Sequence, residues 1–395
     1  MKRDNIKRKI RNVILLPLLI VSLCCVSAES KTKRSLDYPF FHKGMSYASW
    51  TEDSFENVKS DESLESMSRA SVNSVAIIVT WYQENFDSTL LQRTERTPSD
   101  EGVRHAIRRA HKLGMSVMLK PHVDLENQQD SCRSDIGFQT EEEWRQWFNN
   151  YAKFVNHYAR MAENENVEFF CVGTELTFAS SKLEYWRDKI IPSVRKLFSG
   201  QITYAANWDD YSQVRFWDIL DYAGIDAYFP LSKKNDPNLD ELKEGWKQWL
   251  GEIETWQKTA KKPVVFTECG YCSADSAAKK PWVEAFSGMP NMRLQADCYI
   301  ALFETFWDKP WFSGVYWWTW STVPEAGGPA NRRFTPQNKP ALGHVKEWYS
   351  MSDYKRLLAK GLFIKTGSER LLYPSSPGYG SDKSLDMKSL NEAVR

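Results

Sequence analysis

Apolar, β-rich runs alternate with stretches of amphipathic helix through most of this 395-residue chain, and that alternation limits its fold more than any other feature. Eight such runs are read, with cores at residues 44–47, 74–80, 116–120, 168–173, 202–206, 222–227, 263–267 and 314–318. Several are nearly continuous in apolar residues, the pattern of parallel strands covered by helices on their faces. The helices show by their period. Thr140 and Glu143 form a capping box, after which Trp144, Trp147, Phe148, Tyr151, Phe154, Val155 and Tyr158 fall on one face. A helix opening near Glu101 stops at Gly114, a residue suited to a left-handed end, and the chain passes straight into the next run. Eight such alternations predict an α/β fold in a single domain, the (β/α)8 TIM barrel. The rival is an open doubly wound sheet. It ordinarily carries a glycine-rich phosphate loop, and neither G-x-G-x-x-G nor G-x-x-x-x-G-K-[ST] occurs.

The ends read differently. Lys2, Arg3, Lys7, Arg8, Lys9 and Arg11 make the first residues basic, 13–26 is an apolar run, and Val26-Ser27-Ala28 closes on small residues. This is the layout of a secretory signal peptide over residues 1–30, and its apolar run is shorter than the roughly 20 residues a bilayer span needs. An uncleaved signal anchor is the alternative. Lipid attachment at Cys24 or Cys25 is disfavoured by Leu23 and Cys24 in the preceding positions. The expected organisation is therefore a signal at 1–30, an N-terminal extension at 31–41, the barrel at 42–350 and a polar, poorly ordered C-terminal tail at 351–395, where 375–381 has linker composition. The expected location is extracellular, reached by the secretory pathway.

Charge and cysteine usage exclude several classes. The chain holds 52 Lys+Arg against 51 Asp+Glu, and residues 1–30 carry six of the basic and two of the acidic side chains, so removing them takes the charge from +1 to −3. Nothing there favours nucleic acid. Beyond the signal lie Cys132, Cys171, Cys269, Cys272 and Cys298, an odd number, so at least one is free or paired between molecules; the pairing of the rest is not readable. The stretch Cys269-Gly270-Tyr271-Cys272 has redox spacing without the strand–helix context of a thioredoxin-like site. Six scattered histidines, with no H-E-x-x-H or paired-ligand spacing, predict no catalytic metal, and no other cofactor is implied.

In a barrel of this kind the reactive groups stand at the carboxyl ends of the strands. The fourth run ends in Thr174-Glu175-Leu176 and the seventh in Thr267-Glu268-Cys269. Each places a carboxylate at the rim, three strand–helix units apart, so two glutamates face one mouth. Opposed carboxylates are the machinery of glycoside hydrolysis, in which a protonated one donates to the leaving oxygen while an ionised one attacks or activates water. Pairing of either glutamate with a rim arginine is the bland alternative.

Seven segments then resemble a known family. They are Lys43-Gly44-Met45-Ser46-Tyr47, Leu119-Lys120-Pro121-His122-Val123-Asp124, Val172-Gly173-Thr174-Glu175-Leu176, Thr203-Tyr204-Ala205-Ala206-Asn207-Trp208-Asp209, Gly224-Ile225-Asp226-Ala227-Tyr228-Phe229-Pro230, Phe266-Thr267-Glu268-Cys269-Gly270-Tyr271 and Val315-Tyr316-Trp317-Trp318. In order and spacing the chain resembles glycoside hydrolase family 113, β-1,4-mannanases within the clan of retaining (β/α)8 glycosidases. The resemblance implies a retaining hydrolase of β-1,4-mannan or manno-oligosaccharides, with Glu175 as acid/base, Glu268 as nucleophile and Tyr228 holding the nucleophile. One departure stands out: much of the clan has Asn before the strand-four acid, contacting the sugar 2-hydroxyl, where this chain has Thr174. That contact is then lost or taken by another group such as Asn207.

Further candidates come from the rim. Trp50, Trp81, Trp208, Trp317, Trp318 and Trp320 lie near strand ends, where indole faces stack on pyranose C–H faces. The clan places a tryptophan under the reacting sugar, and either Trp318 or Trp320 fits. Lys120, His122 and Asp124 alternate after strand three and share one side, available either to substrate hydroxyls or to a salt-bridged rim. The expected partner is therefore a polysaccharide or oligosaccharide substrate. A glycosidase for another β-linked glycan and a catalytically silent carbohydrate-binding barrel are the other readings, and endo or exo action is left open.

Overall fold

A computed structural model of the chain describes residues 40–128, 131–285 and 287–351, and the backbone of three short strands beyond them. The expected signal peptide, most of the extension and most of the tail lie outside the described residues. The elements run β1 (His42–Ala48), α1 (Val58–Ser68), β2 (Ser74–Gln83), α2 (Asp100–Lys112), β3 (Ser116–Leu125), α3 (Glu141–Asn164), β4 (Phe169–Thr174), α4 (Thr177–Ser180), α5 (Ile191–Arg195), β5 (Gln201–Asn207), β6 (Ala223–Asp226), α6 (Leu239–Ala260), β7 (Val264–Cys269), α7 (Met292–Phe306), β8 (Phe312–Ser321) and α8 (Pro340–Ser350). Strands β1 to β8 pair in parallel and in sequence, and β8 pairs back with β1, closing a (β/α)8 barrel. In the segment read as a tail, β9 (Ile364–Lys365), β10 (Arg370–Leu372) and β11 (Leu385–Asp386) form a small antiparallel sheet.

Local signals account for most of these elements. In α3 the Thr140 hydroxyl accepts from the Glu143 N–H while the Glu143 carboxylate accepts from the Thr140 N–H, and all seven aromatic and aliphatic residues of the predicted face are buried. The Ser99 hydroxyl caps α2, and Gly114, at φ +80°, turns the chain out of it into β3. One crossover departs from the expected alternation. Between β5 and β6 the only helical residues are a single 3₁₀ turn, Trp217–Ile219, so that connection is an aromatic-packed loop and not a helix.

Two apolar layers hold the barrel. The outer one, between strands and helices, contains most of the buried aromatic residues. The inner one is small: Ala76, Ile78, Met118, Cys171, Ala205 and Val265 fill the middle, and Phe169, Tyr222 and Tyr316 lie among them. At the amino-terminal end of the strands Tyr316 Oη is 2.7 Å from both His42 Nδ1 and Ser74 Oγ, and the Phe40 N–H donates to Tyr222 Oη. Small residues toward the other end leave the carboxyl-terminal mouth to polar side chains. Among the described residues no helix is long and apolar enough to cross a membrane.

Candidate active site

Three strands gain a residue relative to a neighbour just below the mouth. On β4 the partner of Cys171 is Thr203 and the next paired residue, Thr174, meets Ala205; on β7 the pairs Phe266↔Val315 and Cys269↔Trp317 enclose one extra residue. On β8, Trp317 pairs with Met45 and Trp320 with Tyr47. Such bulges re-aim side chains that strict alternation would send to the other face. Gly173 makes the first possible, since a Cβ there would come within 2.8 Å of the Trp186 and Tyr204 rings. The chain then enters Glu175 at φ +53°, a left-handed conformation uncommon outside glycine, with its N–H donating to Ala205 O at 2.8 Å.

The two glutamates meet different surroundings. Glu268, 5% exposed at its side chain, accepts from Lys120 Nζ at 2.5 Å on Oε1 and from the Tyr228 hydroxyl at 2.8 Å on Oε2. Lys120 is wholly buried; its ammonium also donates to Asp226 at 3.2 and 3.3 Å and lies 3.5 Å from Thr267 O. Burial pulls the Lys120 pKa down, but the charges of Asp226 and Glu268 outweigh it and hold the group above the ordinary lysine range. Burial, then the Glu268 charge, pushes the Tyr228 phenol well above its usual pKa, so it remains a donor.

Glu175 is 20% exposed and has one weak charged partner, Arg133 Nη1 at 3.4 Å. Burial pushes its pKa up to about 7, against the Arg133 charge and with the Glu268 charge adding. Arg133, in the 3₁₀ turn Arg133–Asp135 after β3, also donates to His122 Nδ1 at 3.0 Å and to Asp124 Oδ1 at 2.9 Å. Next to it, Ser134 Oγ donates to the Glu175 carbonyl at 3.0 Å. His122 is 2% exposed, and burial, reinforced by the Arg133 and Lys120 charges, holds its pKa well below the usual histidine value. Neither Arg133 nor Ser134 carries a motif or a periodicity, and sequence reasoning missed both. Their only signal is position, in the loop that follows the β3 triplet.

The other predicted residues divide. Trp318 is partly buried in the inner layer, with its ring parallel to that of His122 at 6.2 Å and edge-on to the half-exposed Trp50 at 6.3 Å. Trp320, expected as its equal, is a correction: the β8 bulge turns it outward, fully buried, with Nε1 donating to Ser63 Oγ on α1 at 2.9 Å. Trp81 is a second correction. It packs on Phe154 of α3 and donates to Tyr158 Oη at 3.1 Å, outside the barrel wall. Trp317 likewise stacks on Tyr299 of α7 at 3.7 Å. Trp208 lies beyond β5, stacked at 5.7 Å on Trp282, which is 48% exposed. Thr174 is buried with Oγ1 3.8 Å from Cys171 Sγ, and Asn207 Nδ2 donates to Ser134 Oγ and Thr177 Oγ1. Lys120, offered to substrate hydroxyls from sequence, has its ammonium protons directed at carboxylates and a carbonyl instead. The five cysteines beyond the expected signal are all free, Cys132 exposed and the rest buried. No group of His, Cys, Asp and Glu suited to a metal occurs among the described residues.

Comparison with known proteins gives a consistent picture. The family model for Glycoside Hydrolase Family 113 matches residues 45–339. Among solved structures, the chain is similar to the family 113 β-mannanase of Alicyclobacillus acidocaldarius, at 27% identity and a TM-score of 0.72, over 79% of this chain and 97% of that one. It is similar also to a family 113 β-1,4-mannanase at 29% identity and a TM-score of 0.72, over 79% of this chain and all of that one. A Faecalibacterium prausnitzii β-glucuronidase, at 15% identity and a TM-score of 0.55 over 79% of this chain and 49% of that one, shares the fold alone. No curated protein matches the chain by sequence.

Proposed function

We propose, for a chain that belongs to glycoside hydrolase family 113 and is a β-mannanase-like hydrolase, that it cleaves β-1,4-linked mannan or manno-oligosaccharides with retention of configuration. The structures it resembles over their whole length act on β-mannan by name, which supports the substrate class. The mechanism rests on one observation. Two glutamates at one mouth have different environments: Glu175 has only a 3.4 Å contact to Arg133 and burial pushes its pKa up to about 7, whereas Glu268 accepts from an ammonium and a phenol.

In the first step the Glu268 carboxylate attacks the anomeric carbon while the Glu175 carboxyl gives its proton to the glycosidic oxygen; the C–O bond breaks and the alcohol leaves. In the second, the Glu175 carboxylate takes a proton from water, whose oxygen attacks the same carbon and returns Glu268 as carboxylate. Two inversions give net retention. The apolar run 13–26 and the small residues after it support export through a signal at 1–30, leaving the barrel of 42–350 as the catalytic body and 351–395 as an appended tail.

Proton NMR of β-1,4-mannohexaose with the purified protein tests this, with the Glu268→Gln variant run beside it. Early appearance of the β-anomer with the wild type alone is the expected result. Early α-anomer overturns retention. No cleavage by either protein overturns the mannan assignment, and a panel of other β-glycans then separates another glycosidase from a silent sugar-binding barrel.

A further inference from the structure

At the mouth stands a buried donor, on His122, with no partner among the described residues. His122 Nδ1 lies 3.0 Å from Arg133 Nη1, and a guanidinium has only donors, so Nδ1 is the acceptor and the imidazole proton sits on Nε2. That Nε2–H has no hydrogen-bond partner among the described residues, although the residue is 2% exposed. Glu268 Oε1, at 3.5 Å, is too far for a good bond and is already bonded to Lys120 at 2.5 Å. A buried donor left unmade is costly, so one standing at a mouth calls for an acceptor from outside the chain.

We propose that His122 Nε2–H binds the 2-hydroxyl of the sugar whose anomeric carbon is attacked, and that Arg133 serves it by fixing the tautomer. The proposal rests on the reading of Glu268 as nucleophile. A ligand atom bonded to Nε2 lies beside the Glu268 carboxylate, and the hydroxyl on the carbon next to the attacked one is the sugar hydroxyl nearest that carboxylate. Other groups that sequence offered for this contact are taken. The Thr174 hydroxyl is buried toward Cys171, both Asn207 amide protons go to Ser134 and Thr177, and Lys120 is wholly enclosed by Asp226, Glu268 and Thr267. The β3 histidine thus fills the place left by the residue before the acid.

The test uses 4-nitrophenyl β-1,4-mannobioside and its analogue lacking the 2-hydroxyl on the sugar that bears the aryl group. On the parent compound, His122→Ala is expected to lower kcat/KM about tenfold to a hundredfold, the worth of one buried hydrogen bond. On the 2-deoxy analogue the same substitution is expected to change kcat/KM by less than about twofold, because the two deletions remove one interaction. His122→Gln, which keeps a donor at similar reach, is expected to recover part of the loss on the parent compound only. Equal loss on both compounds, in both variants, overturns the proposal and leaves His122 a support for Glu268. If the wild type cleaves neither mannoside, the substrate reading has failed instead. The same pair, built from the aryl β-glycoside it does cleave, then decides the His122 contact by the same two outcomes.

Discussion

The β4 and β7 sides of the mouth bear the same side chain after the same kind of bulge, yet they surround it differently. On the β7 side Glu268 is nearly sealed and bonded by Lys120 and Tyr228. On the β4 side Glu175 is more open, has only a long contact to Arg133, and sits in a backbone conformation that glycine would adopt more readily. Under the proposed mechanism, the difference teaches that donors, and not the carboxylate, assign the role. A group gripped by cations and phenols suits attack, and one desolvated without close donors holds its proton.

Removing the group proposed to attack breaks the comparison outright. Glu268→Gln is expected to lower kcat by about 10⁴-fold or more while oligosaccharide affinity, read by calorimetry, stays within a few-fold. Next in size, Glu175→Gln should reduce turnover of oligosaccharides by about 10²–10⁴-fold. It should cost far less on an aryl glycoside whose leaving group needs no proton. In the wild type the same group is expected to set the alkaline limb of the pH–rate profile near pH 7, with activity falling above it, and in the variant that limb should disappear. Equal losses on both substrates would count against Glu175 as the acid.

Tyr228→Phe sharpens the comparison by removing one of the two donors on Glu268, and kcat is expected to fall about tenfold to a hundredfold. Smaller still is an effect on stability. Glu175 binds its proton more tightly folded, near 7, than unfolded, near 4.5, so the folded state loses stability as pH rises through that window. Thermal melts should therefore show Glu175→Gln gaining on the wild type between pH 4.5 and 7.5, with the gap closing below pH 4.5; about 2–4 °C is expected for each kcal/mol. A gap independent of pH would mean that Glu175 is not held protonated by its surroundings.

Much of this is legible in the sequence. The eight strands, the α3 capping box, the Gly114 stop and two glutamates at strand ends are set by neighbours a few residues apart, where period and capping chemistry act. The two failures at tryptophan have one cause each. Trp318 and Trp320 are two residues apart and should share a face, but the extra residue in β8 opposite Met45 and Tyr47 separates them. Trp81 near the end of β2 alternates outward toward α3, and only the closure of the barrel says which parity is outward. Arg133 lay in a loop with no pattern to mark it.

Composition, period and capping are local, so the order of strands, the closed barrel they imply and the placing of Glu175 and Glu268 at its rim follow from the chain itself. Register and reach are not local. A bulge is a relation between two strands, the burial of Lys120 depends on side chains from β6 and β7, and the proton on His122 Nε2 is fixed by a guanidinium from the next loop. Those pairings arise only when separated segments are brought within hydrogen-bond distance. Tertiary structure therefore decided which of two like carboxylates is gripped, which tryptophan joins the inner layer and which buried donor has no partner among the described residues.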